Sequence, residues 1–316
     1  MSYIPSLFSD EFASLAERKI SFLHSLSGQR LVYKRYTKSP LRYPGGKSLA
    51  VGIILEHFPT NIQRVISPFF GGGSVELACA LEIGLEVVGF DIFDILVNFW
   101  QFLIKDSQTL YSDLLKLSPT KEQYAIIKEE LKRHWNKEIV LDQRTLARDY
   151  YFNFNLSYGP GFLGWMSKIY EDEKRYRNML EKIKNFNIKN LNVECSSFEK
   201  VFEKYPHDFL YLDPPYFLEG DSKMFRGIYP QRNFPIHHNN FPHESLANLL
   251  KNHQGNFILS YNDCQWVRNT YKDFKILDVS WQYTMGQGEI RIGKNRIDRG
   301  ELTNIKRSHE ILIIKD

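Results

Sequence analysis

Cysteine is scarce in this chain. Its three cysteines, Cys79, Cys195 and Cys264, stand far apart and form no CxxC pair. That spacing excludes a disulfide framework and a cysteine-based zinc site, and it suits a reducing cytoplasm. All three are expected as small buried side chains. Long apolar runs are lacking too: no stretch approaches the ~18 consecutive apolar residues of a membrane span. The amino end, Met1-Ser2-Tyr3-Ile4-Pro5, has no basic segment followed by an apolar core, so a secretory signal is not expected. No internal repeat or low-complexity stretch is visible. Neither sign of charge dominates, and a formal net charge of +4 permits a polyanionic partner without requiring one. What remains is ordinary globular material, 43% hydrophobic and 25% charged. At 316 residues it is long enough for one large domain with a sizeable insertion, or for two modest domains.

Apolar spacing gives the layout. Phe12, Leu15, Ala16, Ile20 and Leu23 recur at helical intervals from Asp10 to Leu26, with Gly28 as the stop. Arg30, Lys34, Arg35, Lys38, Arg42 and Lys47 follow without an intervening acid, which reads either as a solvated loop or as a phosphate-contacting segment. Arg64-Val65-Ile66 is a strand, Ser74 to Ile83 a helix closed by Gly84, and Glu86 to Phe90 a second strand ending at Asp91: one βαβ unit. From about Leu96 to Ile188 helical windows dominate (Tyr124 to Trp135, Gln143 to Phe154, Lys174 to Phe186), broken by the turn-rich stretch Ser157 to Trp165. The α/β texture then returns with a strand at Phe209 to Leu212, a helix at His243 to Lys251, and strands at Asn256 to Ser260 and Ile311 to Ile314. The fold class is α/β: a doubly wound sheet carrying a mostly helical insertion.

Phe69-Phe70-Gly71-Gly72-Gly73-Ser74 joins the first strand to its helix, and glycines there permit a sharp turn and close approach of a ligand. Asp91, 18 residues beyond Gly73, is placed to accept two ribose hydroxyls. Dinucleotide enzymes and S-adenosyl-L-methionine (AdoMet) enzymes share this layout. A dinucleotide site favours G-x-G-x-x-G with pyrophosphate at the helix amino end. Here Glu76 in the first helical turn would repel a pyrophosphate, which favours the phosphate-free AdoMet. Leu41 to Ser48 fails as a phosphate loop because Leu41 stands where glycine is needed, although Lys47 beside Gly45 and Gly46 suits a carboxylate.

The most specific signal is Asp213-Pro214-Pro215-Tyr216 at the end of an apolar strand. Consecutive prolines stiffen the loop and lack N–H groups, so a carboxylate and a proline carbonyl can both accept from one amino group. Tyr216 can lie flat on a flipped-out base. With these segments in view, the chain resembles the Dam-type adenine-N6 DNA methyltransferases (the alpha group). The resemblance is carried, in order, by Tyr43-Pro44-Gly45-Gly46-Lys47, Pro68 to Ser74, Asp91-Ile92-Phe93-Asp94, Asp213 to Tyr216 and Leu259-Ser260-Tyr261-Asn262. It implies a Rossmann-like AdoMet-dependent methyltransferase sheet. The catalytic domain would comprise residues 41–95 and 189–316, the target-recognition insertion residues 96–188, and an N-terminal extension residues 1–40.

By residue, the resemblance implies that Tyr43, Gly46 and Lys47 hold the methionine end of AdoMet. Pro68, Phe69, Phe70, Gly71, Gly72, Gly73 and Ser74 would form its cradle, Asp91 would bind the ribose, and Ile92 and Phe198 would flank the adenine. Asp213 and Pro214 would take the target amino group, with Pro215 stiffening the hook and Tyr216 stacking on the base. Ser67 stands where the family commonly has an acid, so an anchor for the cofactor ammonium is lost or supplied by Asp213; Ser197 replaces a further acid common before Phe198, so the contact to the cofactor's adenine amino group is not implied here. No metal is implied, and no Pro-Cys nucleophile of the cytosine-C5 type occurs. Lys223, Arg226 and Arg232, interleaved with Phe225, Tyr229 and Phe234, suit contact with double-stranded DNA. Tyr158 is a further groove candidate, with an aromatic packing loop as its alternative. The expected function is methyl transfer to adenine N6, as an orphan enzyme or beside a cognate restriction endonuclease. The alternatives are cytosine-N4 methylation and a non-catalytic AdoMet-binding DNA protein.

Overall fold

The computed structural model describes residues 14–28, 33–43, 45–158, 161–217, 241–279, 282–283, 306–307 and 310–316. Seven strands form one sheet: β1 (Arg64–Ser67), β2 (Glu86–Asp91), β3 (Leu191–Cys195), β4 (Leu210–Leu212), β5 (Phe257–Asn262), β6 (Lys275–Val279) and β7 (Glu310–Lys315). Their order is β3-β2-β1-β4-β5-β7-β6. The first five are parallel, and β7 runs antiparallel to both β5 and β6. A short pair, Gln282–Tyr283 with Lys306–Arg307, lies outside this sheet. The central strands are apolar on both faces, as helices on each side of the sheet require: Val65, Ile66, Val87, Leu210, Ile258 and Leu259 are fully buried. The order of strands reverses between β1 and β4, and the crevice at their carboxyl ends is where such sheets bind ligands.

Helix α1 (Leu15–Leu26) opens on a capping box between Ser14 and Glu17. It is shorter than Asp10 to Leu26, within the described residues. After α2 (Val51–Glu56), α3 (Ser74–Ala78) widens into a π turn over Cys79–Ile83 and stops at Gly84, whose φ of 78° suits glycine. The helices α4 (Asp94–Leu115), α5 (Lys121–Trp135), α6 (Gln143–Leu156) and α7 (Glu173–Lys184) all fall between β2 and β3. The long α4 breaks at Asp106 (φ −153°), whose carboxylate accepts from the Thr109 N–H and restarts the helix. Three further helices, α8 (Phe198–Lys204), α9 (His243–Asn252) and α10 (Gln265–Thr270), cover the other face of the sheet. Among the described residues no helix is long and apolar enough to cross a membrane.

The helical insertion shares its core with the sheet: buried residues of α4–α7 are continuous with those of β1, β2, α2 and α3. The second half of α6 is buried on every side, from Asp149 through Leu156, with Tyr150, Tyr151, Phe152 and Phe154 packed around it, as a central element requires. Its two fully buried amides bind neighbouring loops. Asn153 accepts from the Leu163 N–H at 2.8 Å. Asn155 accepts from the Arg42 N–H at 2.9 Å and donates to the Pro40 carbonyl. Between them, Phe154 stacks on Tyr43 with centroids 5.7 Å apart. The segment leading to Lys47 is therefore built on the insertion. Of the basic run, Arg42 is spent on the Asn155 carbonyl and the Tyr170 ring rather than on solvent; Arg30 lies outside the described residues.

The cysteine expectation holds only for Cys79. Cys195 is exposed because it is the last residue of an edge strand, and Cys264 is half-buried at the start of α10. We predict that Asn155→Ala, which strips partners from Arg42 N–H and the Pro40 carbonyl in a dry setting, costs about 1–3 kcal/mol. The measurement is the shift in urea midpoint at constant slope, and an unchanged midpoint would show that the amide carries no weight.

Candidate active site

One cavity of about 270 Å³ opens at the carboxyl ends of β1, β2 and β4. Its lining includes Tyr43, Gly46 and Lys47, the run from Pro68 through Ser74, Asp91, Ile92, Phe198, and Asp213 through Tyr216. The structure thus brings together every residue singled out for cofactor and chemistry except Pro44, which lies outside the described residues.

The glycine bend owes its shape to crowding. Gly71 and Gly73 have φ of 47° and 63°, a region that side-chain-bearing residues rarely enter. A Cβ on Gly72 would lie 2.4 Å from the Tyr43 side chain. The turn is pinned from all sides: Gly71 N–H donates to Asp91 Oδ2 (3.0 Å), the Trp100 indole N–H donates to the Gly71 carbonyl (3.0 Å), and Ser39 Oγ donates to the Gly72 carbonyl (2.6 Å). Asp91 Oδ1 also accepts from the Phe93 N–H (2.9 Å). Burial pushes the Asp91 carboxyl up to about 6, against the pull of these backbone donors.

Lys47, 3% exposed, pairs with Asp213 at 2.5 Å, and its ammonium sits 4.9 Å from the centre of the Tyr216 ring. Burial raises the Asp213 carboxyl, and Lys47 pulls it back. Tyr216 is aimed from behind. Its hydroxyl donates to Glu310 (2.5 Å), which register sets opposite Asn262, and its ring stacks on Tyr261 at 6.1 Å. Asn262 donates to the Phe217 carbonyl (2.7 Å), fixing the chain just beyond the tetrapeptide. On the other flank, Phe69, Phe198 and Phe241 meet with centroids 5.5–5.6 Å apart, and Ile92 is left 38% exposed. That apolar cleft fits the flat face of a purine.

Several residues escaped the sequence reading. Ser67 does not leave a gap beside the bend: its hydroxyl donates to Glu76 (2.6 Å), a cavity residue that sequence had marked only for repelling phosphate. Glu199 also lines the cavity, two positions after Ser197. Phe241 and Glu310 arrive from the far end of the chain, and no local motif announces either. Tyr158 is 78% exposed on a hairpin closed by Ser157 and Met166; it does not line the cavity. The neighbouring Trp165 is exposed and Phe162 buried, so that loop both packs and protrudes. Lys223, Arg226 and Arg232 lie outside the described residues.

Four acids, Glu76, Asp91, Asp213 and Glu199, surround one lysine in this cavity. A pyrophosphate would face them at a cost, whereas a nucleoside bearing a sulfonium and an ammonium complements them. Side chains on the bend would collide with the rings of Tyr43 and Phe70 that pack against it, so glycine is what allows the bend to form this wall of the cavity. The sheet order and this cavity are those of the AdoMet-dependent methyltransferase fold. A family model of D12 class N6 adenine-specific DNA methyltransferases matches residues 43–285, and the chain belongs to that family. Enzymes of the family use AdoMet as methyl donor. The chain is 25% identical over 209 residues to the modification methylase StsI of Streptococcus sanguinis, covering 60% of this chain and 30% of the relative. It is 26% identical over 198 residues to the type II methyltransferase M.MjaIII of Methanocaldococcus jannaschii, covering 56% of this chain and 68% of the relative. Against the type II methyltransferase M.FokI of Planomicrobium okeanokoites the identity is 26% over 201 residues, covering 59% of this chain and 30% of the relative. The match thus spans under a third of two of these relatives.

Burial pushes the Glu76 carboxyl up to about 7; Asp213 adds to the rise, and the Ser67 hydroxyl and Lys47 oppose it. An acid that holds its proton more tightly when folded costs stability as pH climbs. Below about 4 both states carry the proton; between there and about 7 the unfolded chain releases it while the folded chain keeps it. The ligand-free protein should therefore lose stability from pH 4 to pH 7 through Glu76 and, up to about 6, Asp91. Glu76→Gln should flatten this slope by about 3 kcal/mol over that window, read from urea unfolding at a series of pH values. Parallel curves for the two proteins would mean that Glu76 is not perturbed.

Proposed function

We propose that the protein transfers a methyl group from AdoMet to N6 of an adenine flipped out of duplex DNA, within a specific short sequence. The observation that carries this reading is the shared cavity: the glycine bend with Asp91, and the hook Asp213–Tyr216, face one space and are joined by the Lys47–Asp213 pair. Bound AdoMet supplies an electrophilic methyl on a sulfonium. Asp91 receives the ribose hydroxyls, Ile92 and Phe198 enclose the adenine, and Lys47 with the backbone at Gly45 and Gly46 faces the methionine arm. Residues 68–74 form the floor.

The chemistry falls to the hook. Lys47 holds Asp213 Oδ1, which offers Oδ2 to the target amino group, while the Pro214 carbonyl takes its second N–H. Two acceptors on one amine favour a pyramidal nitrogen and free the lone pair that the ring otherwise withdraws. Pro215 keeps the carbonyl pointed outward. Tyr216, held by Glu310 and Tyr261, stacks on the extruded ring. The nitrogen loses its proton after the methyl has moved, when that proton is acidic, and Asp213 Oδ2 accepts it; burial, which raises this carboxyl, suits the role. No metal enters the reading.

The helices α4–α7 (within residues 96–188) are the proposed target-recognition region, with Tyr158 and Trp165 as its protruding aromatics. Lys223, Arg226 and Arg232 are proposed phosphate contacts. In keeping with the modification-methylase names of the relatives, we further propose a restriction endonuclease of the same specificity as partner, and a cytoplasmic setting.

Expression in a host lacking adenine methylation, followed by nucleoside mass spectrometry and single-molecule sequencing of the genome, should reveal N6-methyladenine in one sequence context. N4-methylcytosine instead would replace this reading with its rival. Asp213→Ala should lower methyl transfer at least ~100-fold while duplex affinity changes little, measured by single turnover and by fluorescence anisotropy. Full activity in that variant would remove the mechanism.

A further inference from the structure

Glu76 is a buried carboxylate that lines the cavity and is 3% exposed. Its hydrogen-bonding side-chain neighbour is a neutral one, the Ser67 hydroxyl at 2.6 Å. No lysine, arginine or histidine lies within ion-pair distance of it among the described residues. Lys47 is near enough to be felt but is committed to Asp213 at 2.5 Å. Desolvating a carboxylate without a cation is costly, and a fold that keeps one at the wall of a ligand cavity leaves room for a cation to be brought in. Ser67 Oγ is itself fully buried at the end of β1, so it orients the carboxylate and cannot turn away to water.

Resting on the AdoMet reading above, we infer that Glu76 is the residue that binds the α-ammonium of the cofactor's amino-acid arm, with Ser67 as its positioning residue. Of the other acids of the cavity, Glu199 sits in the first turn of α8 beside Phe198, at the adenine side. Asp91 is tied to the Gly71 and Phe93 N–H groups at the ribose position, and Asp213 is tied to Lys47 at the hook. Glu76 belongs to the Lys47–Asp213 end: it is held by Ser67 at the carboxyl end of β1, whose neighbour β4 leads into Asp213, and all of these acids line the one cavity. An amino-acid arm laid there turns its carboxylate toward the Gly45–Lys47 segment, where Lys47 stays paired with Asp213, and its ammonium toward Glu76. The two ends of a zwitterion thus meet opposite charges presented by different elements, the 45–47 segment and α3.

The test isolates the ammonium from the rest of the ligand. S-adenosyl-L-homocysteine carries the ammonium and carboxylate with a neutral sulfur. Its des-amino analogue keeps the carboxylate and carries hydrogen in place of the ammonium. Isothermal titration of the full chain should show the first binding about 10- to 100-fold more tightly than the second, the range of a charge-assisted hydrogen bond. In Glu76→Gln this gap should collapse to within about twofold, the affinity for the des-amino analogue being nearly unchanged. Ser67→Ala keeps the acid and removes the hydroxyl that aims it; it should narrow the gap about threefold, and it decides the matter if the glutamine variant does not fold. A gap that persists in both variants assigns the ammonium to another group and overturns the inference, as does the lack of any gap in the unmodified protein. Failure of the unmodified protein to bind either ligand would instead bring down the cofactor reading beneath it.

Discussion

The contact between Lys47 and Asp213 joins residues 166 positions apart and links the two functional halves of the molecule. Lys47 follows the glycine pair that precedes the sheet, and Asp213 opens the hook after β4. A buried ion pair is a poor source of stability but an exacting one, since removing one partner strands the other's charge. Its value here is positional. It sets the hook against the glycine bend, and it places a cation beneath the Tyr216 ring, so that the group meant to stack on a base and the group meant to hold its amine share one anchor.

Most of the architecture was legible because its central strands are buried on both faces and read as apolar runs. The sheet's two ends were not legible: β3 and β6, with sequences LNVEC and KILDV, interleave polar residues as edge strands do, and no continuous run marks them. Helix α4, the longest among the described residues, went unmarked within its helical stretch; a break at Asp106 divides it into two. Within the site, the motifs carried nearly the whole cavity lining. Residues delivered by tertiary pairing escaped: Glu310 reaches Tyr216 only because β7 returns antiparallel along β5, and Phe241 reaches Phe198 only because α9 begins there.

Departures from the family pattern carried more information than the matches. Ser67 and Ser197 read as lost acids in one dimension. In three, each has a glutamate nearby on the cavity wall: Glu76 accepts from Ser67 across one turn of backbone, and Glu199 opens the first turn of α8. Charge in a cavity is a property of the enclosed space and not of a column in a motif, so an acid can move between elements while the field seen by a ligand stays similar.

Asn155 and Phe154 of α6 hold the segment that leads into Lys47. The region proposed to read DNA is therefore no detachable cassette. Transplanting it whole from a relative would take away the scaffold of the cofactor seat, so a new sequence preference has to be grafted onto outward-facing positions such as Tyr158 and Trp165, leaving the inner face of α6 untouched.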